Sequence, residues 1–214
     1  MKSFERAFLT GVDAKQEWML PWFFKNYKKY NKLPVIVADF GMSPKGLELA
    51  KRHAKEIIDL TKEREKGWFL KPKSMWKSPA KNTVWIDLDC EVRGDLSDIF
   101  KQLEPNKLCM VQDHPWVKRR GELWHNSGVV GFKDKPAILK SWMNEVGRIK
   151  AVGDQEVLHA MLNPITKITY IKDLPHKYNV LRLDVEDNNV PKDAVVVHWT
   201  GSKGKDEIRR QINA

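Results

Sequence analysis

Apolar and polar positions alternate along the chain between short strand-like runs and stretches of helical period. Residues 4–12 read as a first strand, with Thr10-Gly11 near its end. Residues 17–30 have helical spacing, and Trp18, Pro21-Trp22 and Phe24 make an aromatic face. Residues 34–40 form a short continuous apolar strand closed by Gly41, and Ser43-Pro44 then opens a helix to about Ala54. Serine accepts from free amides at a helix start, and proline suits the first turn. Residues 56–60 read as a third strand. Residues 68–78 read as a helix interrupted by Pro72, leading into the β-rich run 84–92. Further strands are expected at 107–112, 127–132, 166–171 and 194–198. Helices are expected at 136–146 and 155–162, and a polar helix runs to the end. Strand and helix alternating at this spacing predict an α/β fold with a largely parallel sheet and helices on both faces. No repeat or low-complexity linker interrupts it, so residues 1–214 are expected to be one domain.

Composition fits that picture. The chain has 214 residues, 42% of them hydrophobic, with nine Trp and eight Phe, which supports a packed core and excludes disorder. No apolar run approaches membrane-spanning length, and the N-terminus reads directly into a strand without a signal segment. Cys90 and Cys109 are too few for a disulfide framework and read as reduced thiols of a cytoplasmic protein. The formal charge of +10 implies an anionic partner: nucleotide phosphate, nucleic acid or an acidic membrane surface. No arginine-rich tail or dense basic helix makes nucleic acid the leading choice.

Candidate chemistry centres on Asp87-Leu88-Asp89. At a strand's end, residues two apart share a face, so the two carboxylates offer hard oxygen donors to a cation such as Mn²⁺ or Mg²⁺. Taken alone, most such triplets are solvated loop residues. Three later islands change the balance: Asn126-Ser-Gly128 at the start of a buried strand, Asp154-Gln155-Glu156 at a helix start, and His198 ending an apolar strand before Gly201, Lys203 and Lys205. Separately these read as a turn, a helix cap, a buried histidine and surface lysines. Ligands in α/β sheets gather beyond the strands' carboxyl ends, where Thr10, Asp39, Asp87, Asp89 and His198 fall.

In this order the islands resemble the GT-A superfamily of nucleotide-sugar glycosyltransferases, especially its glycogenin-like and bacterial galactosyltransferase-like branch. The matching elements are Asp87-Leu-Asp89, Gly94-Asp-Leu96, Asn126-Ser-Gly128, Asp154-Gln-Glu156 and His198-Trp-Thr-Gly201. Glu156 departs from the branch's second aspartate, and the final lysine falls at 203 or 205, either side of the expected spacing. The resemblance implies a single GT-A domain that moves a sugar from a nucleotide diphosphate sugar, with uridine the favoured base, to a glycan or glycoprotein acceptor, with retention. It implies that Asp87, Asp89 and His198 bind the cation, with Asp87 and Leu88 beside the ribose. Thr10, Gly11 and Asp39 would line the nucleoside pocket. Asn126 and Asp154 would hold sugar hydroxyls, with Gln155 near the anomeric carbon. Gly201 and Lys203 or Lys205 would close on the diphosphate. The basic segment 114–120 reads equally as an acceptor wall or as a solubilising surface. The alternative is a basic nucleic-acid- or nucleotide-binding protein of the same fold without transferase activity. A nucleotidyltransferase is disfavoured because no glycine- and arginine-rich loop follows the first strand. An aspartyl phosphatase is disfavoured because the aspartate pair is not on that strand.

Overall fold

A computed structural model describes residues 3–214. Its elements in chain order are β1 (Phe4–Val12), α1 (Leu20–Tyr30), β2 (Val35–Asp39), α2 (Pro44–His53), β3 (Glu56–Asp59), α3 (Lys71–Trp76), β4 (Ala80–Ile86), β5 (Cys90–Val92), β6 (Leu108–Gln112) and α4 (His114–Arg120). They continue with β7 (His125–Lys133), α5 (Ala137–Glu145), α6 (Asp154–Ala160), α7 (Pro164–Tyr170), β8 (Ile171–Asp173), β9 (Val180–Leu181), α8 (Arg182–Glu186), β10 (Val196–His198) and α9 (Gly201–Asn213).

The central strands are apolar on both faces because both faces are covered. Phe8, Val12, Val35, Val37, Val84 and Ile86 pack with Trp22, Phe23, Phe24 and Tyr27 of α1 and Ala50 of α2. The alternate residues Ala7, Leu9, Ile36, Ala38 and Trp85 pack on the opposite side with Met75 of α3, Leu139 and Trp142 of α5 and Leu158 of α6. The resulting seven-stranded sheet has the order β3-β2-β1-β4-β7-β6-β8. Only β7 runs antiparallel to its neighbours, β4 and β6. The sheet is thus mixed and mostly parallel, as the alternating pattern requires. A second sheet, ordered β5-β10-β9, lies against the α1 side of the core and pairs His198 with Cys90 and with Leu181.

Local chemistry sets most boundaries. Ser43 accepts from the Gly46 amide at 3.1 Å, capping α2 as its sequence predicts. Pro72 sits in the first turn of α3 rather than interrupting a longer helix, and a 3₁₀ turn, Gly67–Leu70, precedes it. Another 3₁₀ turn, Glu17–Met19, leads into α1. The expected strand at 166–171 is a correction: those residues form most of α7, and only Ile171 enters β8. Asn163 and Thr166 satisfy each other's backbone amides there in a capping box, and Pro164 occupies the first turn, so local capping outweighs the β-prone composition. The segment 114–120, left outside both neighbouring strands, is helix α4, capped by the Asp113 side chain on the Trp116 amide at 2.9 Å.

Candidate active site

β4 ends at Ile86 and β5 begins at Cys90, so Asp87, Leu88 and Asp89 form the tight turn between two sheets. This corrects the expected geometry. The two carboxylates are brought together by a turn rather than by the alternation of a strand. The Asp87 amide bonds the Gly128 carbonyl at 2.8 Å and the Cys90 amide bonds the Asp87 carbonyl at 3.0 Å, fixing the turn against β7.

His198 reaches this turn because β10 pairs with β5. Its Nε2 lies 3.2 Å from Asp89 Oδ1 and 3.8 Å from Asp87 Oδ2. Its Nδ1 lies 3.2 Å from Asn126 Oδ1 and 3.1 Å from Asn179 Oδ1. Asn126 Oδ1 also accepts from the Gly128 amide at 2.8 Å and from Asn179 Nδ2 at 2.9 Å, which orients both amide groups. Two carbonyl oxygens facing Nδ1 can only accept, so the neutral ring carries its hydrogen there. In that tautomer Nε2 would offer its lone pair to a cation held beside the two carboxylates. Such a ring–carboxylate set is the donor arrangement of a cation site, with the distant ring nitrogen held by an amide oxygen. Separations of 3.2 and 3.8 Å between donors suit a single ion whose bonds are about 2.1 Å long. Gly128 makes the packing possible, since a Cβ there would lie 2.2 Å from the imidazole Cε1.

Cys90 is the third residue of a group, with Asp89 and His198, whose ligand atoms lie within 4.8 Å of one another. Burial pushes its thiol well above the usual range, and Sγ points to the Gly128 carbonyl at 3.9 Å. The carboxylates that face Nε2 are those of Asp89 and Asp87.

On the other side of the turn lies Lys71, the first residue of α3 and only 3% exposed. Its Nζ is 3.0 Å from Asp87 Oδ1 and 3.4 Å from Asp154 Oδ2, and it donates to the Ser127 carbonyl at 3.1 Å and hydroxyl at 3.0 Å. Burial favours the neutral amine, but Asp154 and Asp87 outweigh it and hold the ammonium charged. For Asp154 burial dominates and raises the carboxyl despite Lys71. Burial likewise acts upward on Asp89, yet His198 and Lys205 beside it hold that carboxyl well below the ordinary range. Trp85 completes the surround, its indole donating to Asp87 Oδ1 at 2.6 Å.

These groups line a cleft of about 750 Å³. Of the residues singled out by sequence, Gly11, Asp87, Leu88, Asp89, Asn126, Asp154, Gln155, His198 and Lys205 line it. Gln155 is anchored there by accepting from the Ser127 amide at 2.8 Å. Asp154 is the first residue of α6, and Gly153 takes the cap position, so the simple reading of Asp154 as a helix cap is replaced by its pairing with Lys71. Lys205 reaches Asp89 Oδ2 at 3.2 Å, while Lys203 lines a separate groove with Arg182 and Trp199. Three further candidates stand off the cleft wall. Thr10 is wholly buried within β1. Asp39 Oδ1 accepts from the Gly41 and Met42 amides, closing the turn after β2. Gly201 begins α9 in the left-handed region, at φ +72°, and is exposed. Ser127 belongs to the Asn126-Ser-Gly128 motif, but Lys71, Trp85 and Asn179 are not singled out by sequence. Nothing local marks them, because their roles depend on which other segments they meet.

No protein family model and no curated protein matches this sequence. Solved structures are similar in fold. The galactosyltransferase LgtC, in complex with donor and acceptor sugar analogues, superposes with a TM-score of 0.68 at 14% identity, over 97% of this chain and 94% of that one. The apo form of glycosyltransferase GlyE from Streptococcus pneumoniae TIGR4 gives 0.70 at 16% identity, over 92% of this chain and 55% of that one. The bifunctional glycosyltransferase WbbM gives 0.65 at 13% identity, over 94% of this chain and 46% of its own. The architecture is the GT-A fold of nucleotide-sugar glycosyltransferases, as its order of motifs implies.

Proposed function

We propose that this protein is a metal-dependent glycosyltransferase, a single GT-A domain that moves a sugar from a nucleotide diphosphate sugar, with uridine the favoured base, to a glycan or glycoprotein acceptor with retention. The observation that carries this reading is the His198 imidazole facing Asp87 and Asp89, in a cleft that also holds Lys205, paired with Asp89. Its two buried free cysteines and the absence of any helix long and apolar enough to cross a membrane, among the described residues, are compatible with a cytoplasmic protein.

Asp87, Asp89 and His198 would hold Mn²⁺ or Mg²⁺, which when bound neutralises charge on the donor's diphosphate. The other roles belong to the chain itself. Lys205, from α9, supplies a cation toward the leaving diphosphate and offsets Asp89 until then. Gly11 and Phe40, with the Trp85 ring stacked 6.4 Å from Phe40, wall the nucleoside end of the cleft. Asp154 and Gln155 face the sugar end. An active-site glutamine variant has been studied in LgtC, which favours that role for Gln155. Asn126 spends its carbonyl on Gly128, Asn179 and His198, so it acts chiefly as a positioning residue for the imidazole. Lys71 fixes Asp87 and Asp154 at the two ends of the donor site.

Asp89→Ala should lower UDP affinity in the presence of Mn²⁺ by about a hundredfold or more, read by calorimetry, equivalent to roughly 2.7 kcal/mol. Unchanged affinity removes the cation assignment. Asp154→Asn should leave UDP affinity near normal while cutting donor hydrolysis or transfer. A large loss of UDP affinity instead would move Asp154 out of the sugar end. Lys71→Met leaves the buried Asp154 and the partly buried Asp87 without their counter-ion and should cost about 3–5 kcal/mol in urea unfolding. A loss below about 1 kcal/mol would mean that water or other groups already neutralise them.

A further inference from the structure

Two of the large exposed apolar side chains, Val152 and Trp68, line the cleft, while three others fall together outside it on one short helix, α7. Ile165 is 76% exposed, Ile168 70% and Tyr170 38%, and α7 has no buried residue. Ile165 and Ile168 are three apart, so they share one face of the helix. Lys167 ties α7 to the segment after α4: its Nζ donates to the Leu123 carbonyl at 3.2 Å and sits 5.3 Å above the Trp124 ring. Trp124 packs on Trp116 at 5.0 Å, and the Arg120 guanidinium lies 5.2 Å over Trp116. Segments 114–124 and 164–170 together carry Lys118, Arg119, Arg120 and Lys167 against one carboxylate, Glu122. Lys118, Arg119 and Arg120 are all exposed.

Projecting isoleucines, aromatic rings behind them and a cationic fringe are the composition of a surface that seats in the headgroup region of a bilayer. A protein partner would be as well served by the apolar residues alone. The excess of cations, in a chain of net charge +10, selects an anionic surface. The position of the patch adds a second argument. Helix α6 begins in the cleft at Asp154 and carries His159, which stacks on Trp124 with ring centroids 3.9 Å apart. Asp154 and His159 are five residues apart on α6, a rise of about 7.5 Å, so Trp124 and α7 beyond it lie on the side of the molecule next to the sugar end of the cleft.

We propose that the α7 face, with the basic end of α4, docks the protein reversibly on an anionic lipid membrane. If the site transfers sugar as proposed above, this would hold the cleft within reach of acceptors carried on that membrane. The docking itself stands whether or not transfer occurs.

The test is sedimentation of the full chain with vesicles of phosphatidylcholine alone and with phosphatidylglycerol added, without nucleotide. Binding to the anionic vesicles that weakens with salt is expected. Ile165→Asp/Ile168→Asp should lower the partition coefficient by about a hundredfold, roughly tenfold for each side chain. Lys118→Glu/Arg119→Glu should abolish the preference for the anionic vesicles. Both variants should melt like the parent, since these side chains are exposed. Equal binding to neutral vesicles, no binding at all, or unchanged binding by the isoleucine variant overturns the proposal. So does a parent dimer in light scattering that the isoleucine variant dissolves, which would assign the face to a second copy of this chain.

Discussion

One buried ammonium organises the centre of this protein. Lys71 starts α3, yet its charge lies beneath the turn after β4, against Ser127 of β7 and Asp154 of α6. An unpaired ammonium in that position would be costly, and so would either carboxylate. Each is tolerated only because the others are there, so four elements far apart in sequence are constrained to one arrangement. The turn carrying Asp87 then has a single orientation, and Asp89 follows it. Both sheets meet at this turn, which is why β10 can deliver His198 to the same point.

From that constraint the cleft acquires a graded electrostatic character. At one end a charged lysine is shared by two carboxylates, one of them, Asp154, biased toward protonation by burial. At the other, Asp89 is held ionised between an imidazole and Lys205. The imidazole Nδ1 faces the side-chain oxygens of Asn126 and Asn179, and the Asn126 oxygen also accepts from the Gly128 amide and from the Asn179 side-chain nitrogen. Such a chain of satisfied polar groups is rigid, and rigidity before ligand arrives is what electrostatic stabilisation of a leaving group requires. The asymmetry also divides labour: cation and phosphate chemistry near Asp89, sugar recognition near Asp154.

Much of the fold is legible in sequence because its strands are covered on both faces. β2 reads as an unbroken apolar run, and β1 carries alternate residues into two cores. Residues 166–171 mislead because Ile, Thr and Tyr favour strands, while the capping box that wins is set by Asn163 outside the segment. The aspartate pair is legible as chemistry, although its geometry comes from a turn. Spacing alone leaves Lys203 and Lys205 undecided. Helix α9 separates them by about 200°, so only one can face the cleft. That one is Lys205. Lys71 and Asn179 are invisible at the sequence level: among so many lysines, nothing but tertiary contact distinguishes the buried one.

The most direct test is thermal melting of the unmodified protein with UDP, GDP and a few UDP-sugars, each with Mn²⁺ and with EDTA. A ligand that binds only the folded chain adds about 2.7 kcal/mol of stability at a hundredfold excess over its dissociation constant. The account predicts a clear rise in melting temperature with a uridine nucleotide that requires Mn²⁺ and disappears in EDTA. No rise with any nucleotide, or one indifferent to the cation, would contradict it and leave the convergence of Asp87, Asp89 and His198 as architecture without that chemistry.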